Sequence, residues 1–509
     1  MMATPPHAES ISAPDDSVAP VDVGEIRSWD VTTDVLVVGL GCAGASAVIE
    51  ARDAGAEVAV LERAGGPGGA SALAGGEIYL GGGTPIQRDC GFEDTSEEMF
   101  RFLLAALGPE PDETKLRLYC EGSVEHFSWF QRLGVPFRAS LWDQPAYIPP
   151  TDDGLMWLGE NSHPFRDLAR PAPRGHRPQA GHFGGRLLMD RLSEAVTARC
   201  TAATLVDAKV QRLVTGRDGS VLGVAATRYG QSLTVRARRG VVLATGGFVF
   251  NDSMLRDHAP WLLGHGKIGT EFDDGRGIRM AQAVGAAVRR MDAAQAAFWV
   301  SPALLAGGIL VNRSGHRFVT EDTYPGLIGQ ATLFHQGGEA FLILDEEVFE
   351  QVPPELRMGQ QPTWVAGSIA ELEAEIPLPE GSLQATVDGY NRVAARGVDP
   401  LFHKSDRWLK ALVPPFAAID TRARGGANDG TGTGKAQGGF LVFTLGGLST
   451  NEDGQVLDVD GDAIPGLFAV GRVSAGLASG GYISGVSLGD GTFFGRRAGR
   501  AAAAVRPAQ

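Results

Sequence analysis

Cysteine is scarce in this chain of 509 residues: Cys42, Cys90, Cys120 and Cys200 stand far apart, and none forms a CxxC pair. That spacing argues against a disulfide framework or a thiolate zinc site, and reduced thiols fit a cytoplasmic enzyme. No run of about 18 apolar residues occurs, so no spanning helix is predicted. Positive charge is in deficit, with 45 Lys and Arg against 60 Asp and Glu and a net charge of −15. Such a chain repels phosphate backbones, which makes nucleic acid an unexpected partner. His163, His176 and His182 form no metal-like pair with a carboxylate; they read as ordinary surface or pocket residues, and no metal site is predicted. The N-terminus lacks a basic segment followed by an apolar run. Being rich in Pro, Ser, Ala and Asp, it predicts a disordered lead-in over residues 1–29 rather than a signal peptide. No internal repeat is found.

Glycine is abundant, at 70 residues, without a collagen period. Glycine-rich loops that approach a ligand account for it better. Asp34-Val-Leu-Val-Val38 reads as a buried parallel strand, followed by a glycine turn, an alanine-rich helix from about Ala43 to Ala54, and a second buried strand from Val58 to Leu61. This is a β-α-β unit. Arg217-Asp218-Gly219 signals a hairpin, and Val241 to Thr245 a further buried strand. The pattern stops near residue 290 and returns near Gly438. Ile464 to Val470 reads as a last strand, and Ser487 to Val505 as a last helix. The expected fold class is therefore α/β with an α+β cap. A Rossmann-like domain is split into residues 30–295 and 426–509, with an inserted catalytic or capping domain over 296–425.

Gly39-Leu40-Gly41-Cys42-Ala43-Gly44 is G-x-G-x-x-G set between a strand and a helix. The first glycine makes the turn, the second lets backbone approach a pyrophosphate, and the third lets helix and strand pack closely. The helix N-terminus offers free N–H groups to phosphate. Glu62, at the end of the second strand, suits a ribose hydroxyl. Arg63 opens a second glycine-rich loop running through Gly69, Ala70, Ser71, Gly75 and Gly76. A loop so close to the first suits a cofactor longer than NAD, and points to FAD; a plain surface loop is the alternative.

These stretches, together with Ala244-Thr245-Gly246-Gly247, Asp274-Gly275-Arg-Gly-Ile-Arg-Met280, Ile309 to Phe318, Gly466 to Gly471, and Ser487-Leu488 with Phe494 to Gly499, resemble the fumarate reductase/succinate dehydrogenase flavoprotein family. The resemblance covers nearly all of residues 30–505. It implies FAD as cofactor, with Ser71 and Gly76 near the flavin, Val210 near the adenine, and Ala244 to Gly246 along the nucleotide. Asp274 and Gly275, Gly471 and Arg472, and Ser487 and Leu488 would complete the cofactor site. Ser487 and Leu488 open the last helix, whose positive end would face the N1/O2 edge of the flavin. Members often have Glu where this chain has Arg472. Members with covalent flavin carry a histidine in the loop after Gly69; this loop has none, which implies noncovalent FAD.

The family's dicarboxylate reductases carry His-Thr-x-Gly-Gly; here the stretch is Phe443-Thr-Leu-Gly-Gly447. Where fumarate reductases place a relay arginine, this chain has Tyr324. Both changes disfavour a dianion and favour an apolar ketone. Ser479-Gly-Gly-Tyr482-Ile-Ser484-Gly485 resembles the 3-ketosteroid dehydrogenases, and the Δ4-(5α) type more than the Δ1 type, which has Tyr-Pro-Gly-Pro-Gly there. Such chemistry removes a proton α to the ketone and a hydride from the β carbon. Tyr482 O–H and Gly485 N–H are candidate donors to the ketone oxygen, and Ser484 and Tyr324 candidates for a proton relay. Neutral phenol, with a pKa of about 10, is a poor base. Each residue has a plainer reading: Tyr324 packed in a turn before Pro325, Tyr482 structural, Ser484 a helix cap. Trp142 to Trp157 line either a steroid pocket or a core. The expected partners are a steroid or other apolar ketone and an external electron acceptor. Competing functions are a Δ1-dehydrogenase, a reductase of another unsaturated acid, and a flavin-bearing electron carrier.

Overall fold

The computed structural model describes residues 17–181, 183–199, 204–422 and 439–506. Among these, the largest sheet has nine strands. Its parallel heart is Val31–Val38 flanked by Val58–Leu61 on one side and Gln231–Leu243 on the other. Val35, Leu36 and Val37 are fully buried because both faces of the sheet are enclosed: Val35 and Val37 share one core with the helix Cys42–Asp53, and Leu36 lies in a second core on the opposite face, which leaves no polar side to alternate towards. The final strand, Ala463–Ala469, pairs in parallel with Val241 to Leu243. This late strand thus joins the sheet begun near the start of the chain.

The helix Cys42–Asp53 lies one residue from its expected bounds, and the last helix spans Val486–Ala504. Gly44 lines no ligand cavity; a Cβ there would stand 2.0 Å from the Gly39 carbonyl oxygen, so its absence allows helix and turn to touch. Arg496 ties the last helix to its neighbours by contacts to Glu50 at 2.8 Å and Glu125 at 2.9 Å.

Several expectations are corrected. Residues 17–29 are not a disordered lead-in: Val21–Asp22 forms a strand beside Val214 and Thr215, and Asp22 caps the short turn after it; residues 1–16 lie outside the described residues. The strand expected over Val241 to Thr245 begins at Gln231, after a hairpin at Tyr229-Gly230 that its polar outer half concealed. Gly438 and the 425/426 boundary fall outside the described residues. The 295/296 boundary cuts the strand Ala294–Phe298, which pairs with Phe440–Thr444. The stretch from Ile78 to Arg199 is also more than part of a dinucleotide fold. It holds the long helices Ser96–Ala106, Glu113–Arg132 and Gly185–Arg199, and a small sheet that includes Ile78–Tyr79 and Gly175–His176.

The middle segment carries a four-stranded antiparallel sheet, in the order Ile309–Asn312, Ala340–Asp345, Phe416–Asp420, Trp364–Ala366. One face packs on Ile369–Glu375 and Ser382–Ala394; the other joins the core of the large sheet through Leu310, Leu342 and Leu344. Among the described residues no helix is long and apolar enough to cross a membrane.

Candidate functional site

A cavity of about 670 Å³ runs from the tip of the first β-α turn to the start of the last helix. Its nucleotide end is built from Gly39, Gly41, Cys42 and Ala43, then Glu62 and Arg63, Gly69, Ala70, Ser71 and Gly75, Val210, Ala244, Thr245 and Gly246, and Asp274. The far end is lined by Gly471, Arg472, Tyr482, Ser484, Gly485, Ser487 and Leu488, with Tyr324 from the middle segment. Gly76 and Gly275 do not line it. Gly76 sits against the Gly184 backbone, and Gly275 is the left-handed N-cap of the helix Arg276–Gln282.

The nucleotide end fits FAD on its own geometry. The helix Cys42–Asp53 starts at Gly41 without a side-chain cap, which leaves first-turn N–H groups for a pyrophosphate. Thr245 Oγ1 is buried with no partner among the described residues. Glu62 sits at the strand end as expected, but its carboxylate accepts from Leu40 N–H at 2.6 Å and Ala64 N–H at 2.7 Å, and burial pushes its pKa up. The second glycine-rich loop is not open coil: Gly69–Leu73 forms a short helix, from which Ser71 Oγ accepts the Cys42 N–H at 3.1 Å. Arg63 pairs with Asp274 at 2.6 Å. Arg472 pairs with Asp273 at 2.8 Å and lies over the Phe443 ring. Its charge is thereby met inside the protein, which accounts for an arginine where a carboxylate was expected. Asp273 was missed, although it stands beside the quoted Asp274.

At the far end, three hydroxyls from two distant stretches converge. The Tyr324 hydroxyl lies 2.9 Å from Ser484 Oγ, either atom donating. Tyr482 O accepts the Ser487 N–H at 3.4 Å, so its own hydrogen remains available to a ligand. Its ring meets Phe443 edge-on, with centroids 5.1 Å apart and planes at 89°. Burial pushes the pKa of both tyrosines up; Tyr482 adds to the rise at Tyr324, and Glu77 acts in the same direction on both.

Local structure holds these groups. Ser479 and Gly481 both donate backbone N–H to the Leu107 carbonyl at 2.9 Å, which clamps the loop before Tyr482. Tyr324 follows a segment fixed by Arg317, whose guanidinium holds Glu321 at 2.7 and 2.8 Å and Asp399 at 2.9 Å. Gly485 has φ +85°, and a Cβ there would stand 2.6 Å from Tyr79 N; only glycine fits the turn that starts the last helix.

Of the aromatic stretch, Tyr147 and Ile148 line the cavity, whereas Trp142 packs against the core. Tyr147 donates to the Phe298 carbonyl at 2.5 Å and stacks near Trp299. His176 is neither surface nor pocket: it is fully buried between Thr84 and the Arg174 carbonyl. His182 and Cys200 lie outside the described residues. Two buried polar residues of the cavity were missed, Glu77 and Gln295, each with an oxygen that has no partner among the described residues. Glu77 had a signal, a single acid directly after the glycine loop in an apolar run; Gln295 had none.

Residues 34–488 match the FAD binding domain family. The chain belongs to that family. FAD is its cofactor. A 3-oxo-5-alpha-steroid 4-dehydrogenase of Comamonas testosteroni is 30% identical to this flavoprotein over 521 residues, spanning 89% of this chain and 95% of its own. The crystal structure of a 3-ketosteroid-Δ4-(5α)-dehydrogenase from Rhodococcus jostii RHA1, in complex with 4-androstene-3,17-dione, is 50% identical. It superposes with a TM-score of 0.90 over 96% of this flavoprotein and 100% of that chain. The open conformation of a flavocytochrome c3 fumarate reductase is more distant, at 26% identity and a TM-score of 0.66 over 94% of this chain and 79% of its own.

Proposed function

We propose that this FAD-binding oxidoreductase introduces the C4–C5 double bond into a 5α-saturated 3-ketosteroid, and that an external acceptor then reoxidises it in the cytoplasm. The observation that carries the reading is the meeting of Tyr324, Ser484 and Tyr482 beside Phe443 in the far arm of the cofactor cavity. The likeness to a dehydrogenase structure in complex with 4-androstene-3,17-dione supports it.

As a proton leaves C4, negative charge gathers on the C3 ketone oxygen. Tyr482 O–H and Gly485 N–H are the donors that meet it, and the uncapped start of the last helix adds its positive end. Ser484 Oγ takes the C4 proton as its own hydrogen passes to the Tyr324 oxygen, its hydrogen-bond partner, and the Tyr324 hydrogen moves on from the pair, so each hydroxyl ends with one hydrogen. Bound FAD supplies the acceptor for the hydride that leaves C5. Gly39, Gly41, Cys42, Ala43, Glu62, Arg63, the short helix from Gly69, Val210, Ala244 to Gly246 and the residues Gly471, Arg472, Ser487 and Leu488 hold it. Residues 30–295 and 426–509 form the cofactor domain in this reading, and 296–425 the cap that brings Tyr324.

Two readings compete. A reductase of an unsaturated acid needs cations for its carboxylates, and the cation beside Phe443, Arg472, is already paired with Asp273. A Δ1-dehydrogenase shares the chemistry at a different ring carbon. Anaerobic mixing of the yellow protein with steroids separates all three. Bleaching by a 5α-saturated 3-ketosteroid with a 4-ene product is expected. Bleaching only by 4-ene-3-ketosteroids, giving a 1,4-diene, would shift the reading to Δ1. Turnover of fumarate-like acids by pre-reduced protein, with no bleaching by any steroid, would replace it with the reductase.

A further inference from the structure

The proton that leaves C4 has no resting place on the three hydroxyls. Tyr324 and Tyr482 are buried phenols, Ser484 is an alcohol, and none is an anion that attracts a proton near neutrality. A carboxyl group lines the same cavity. Glu77 immediately precedes the strand Ile78–Tyr79 and is 7% exposed. Its backbone lies against the active turn: Tyr79 N–H donates to the Gly485 carbonyl at 3.2 Å, and a Cβ on Gly485 would stand 3.0 Å from the Glu77 carbonyl carbon. The charge of Glu77 bears on both Tyr324 and Tyr482.

The surroundings of Glu77 are those of a group held ready, not of a closed ion pair. Its Oε1 is buried without a hydrogen-bond partner among the described residues. Arg177 Nε faces it at 4.0 Å, and is itself buried and unpartnered. A closed N–H···O contact between such charges measures about 2.7–2.9 Å. Arg177 cannot close the gap freely, because its other nitrogens hold the carbonyls of Pro149, Thr151 and Asp153 at 3.0–3.2 Å. Of the other polar groups that line the cavity, Arg472 is committed to Asp273 and Tyr147 O–H to the Phe298 carbonyl. Burial pushes the Glu77 carboxyl up from the usual carboxylate range, which makes it a better proton acceptor than an exposed acid.

We propose that Glu77 is the terminal proton acceptor of the dehydrogenation, with Arg177 as its positioning residue. The inference rests on the Δ4 reading above. The C4–H bond breaks towards Ser484 Oγ, and the proton displaced through the Ser484–Tyr324 pair ends on the Glu77 carboxylate. The C5 hydrogen leaves with its electron pair to the bound FAD, and the C4=C5 bond forms. The Glu77 proton is then lost to solvent.

The test follows anaerobic bleaching of the FAD-loaded enzyme by a 5α-saturated 3-ketosteroid across pH. The steroid has no ionisable group, so an acid limb in the bleaching rate belongs to the protein. Glu77→Gln is expected to keep its FAD, to slow bleaching at least roughly tenfold, and to lose the acid limb. Glu77→Asp is expected to recover part of the rate and a limb displaced in pH. Bleaching by Glu77→Gln within about twofold of wild type, with the acid limb intact, overturns the inference. If Glu77→Gln sheds its FAD, Glu77→Asp decides, and an acid limb there unmoved from wild type overturns it as well. Failure of the wild-type enzyme to bleach with any 5α-steroid is a separate result, and removes the dehydrogenase reading itself.

Discussion

Tyr482 keeps its hydroxyl hydrogen free because its oxygen already accepts from Ser487 at the start of the last helix. An N–H donor on the phenol oxygen sharpens the O–H as a donor to a ketone. Tyr482→Phe is therefore expected to remain yellow and to slow steroid bleaching at least roughly tenfold, about 1.4 kcal/mol of barrier; stopped-flow absorbance would check it, and an unchanged rate would remove Tyr482 from the chemistry. His176 shows how burial alone sets a titration. Its Nδ1 faces the Arg174 carbonyl at 2.9 Å and must carry the hydrogen, so Nε2 accepts from Thr84 at 2.8 Å. Burial pushes its pKa down to about 4. A depressed folded-state value contributes stability that is complete above the unfolded value of about 6.5 and is lost as pH falls through about 4. Thermal melts are expected to drop over that window. His176→Gln, less stable at pH 7, is expected to lose less across it. Tyr482 and Ser484 were legible in the sequence because they sit among glycines beside a helix start, and Tyr324 because it stands where a cation was expected. Nothing in the sequence revealed that His176 is enclosed, since its neighbours come from Thr84 and Phe127, far along the chain.

The first and last helices were legible as elements because one follows a short apolar strand and a glycine turn and the other opens at Gly485 after a glycine-rich stretch, signals that act over a few residues. Their mutual packing was not. Arg496 on the last helix is 5% exposed and joins Glu50 on the first helix to Glu125 and His126 on the helix Glu113–Arg132. Removing one partner from such a network leaves the others short of solvation, a cost of about 3 kcal/mol or more. Arg496→Met is expected to lower the urea midpoint by that order with little change in the slope of unfolding against urea. A loss below about 0.5 kcal/mol would show that solvent reaches Glu50 and His126. The short helix Gly69–Leu73 was also hidden, because its glycines favour coil locally. It forms where Ser71 meets the Cys42 N–H, a contact made only when the two loops are brought together.

Across the whole molecule, one cavity joins the first β-α turn, the end of the strand that closes at Leu243, Tyr324 of the middle segment and the last helix. A ligand that binds only this assembled state stabilises it by mass action, about 2.7 kcal/mol at a hundredfold excess over Kd. The apoprotein is expected to melt below the FAD-loaded form, with the difference growing as FAD is added. Because the loop after Gly69 has no histidine, heat or acid precipitation is expected to release all the flavin to the supernatant; flavin retained in the pellet would refute noncovalent binding.

By itself the sequence determined the β-α-β unit, the glycine fingerprint and the tyrosine–serine stretch. Each rests on the spacing of residues within a single element, and such spacing is printed along the chain. The tertiary structure decided the pairing of Arg472 with Asp273, the ordering of residues 17–29 against a distant strand, and the placing of Glu77 against the Gly485 turn. These depend on which distant surfaces touch, and a lone charge in an apolar run is silent about its neighbour until the chain has folded.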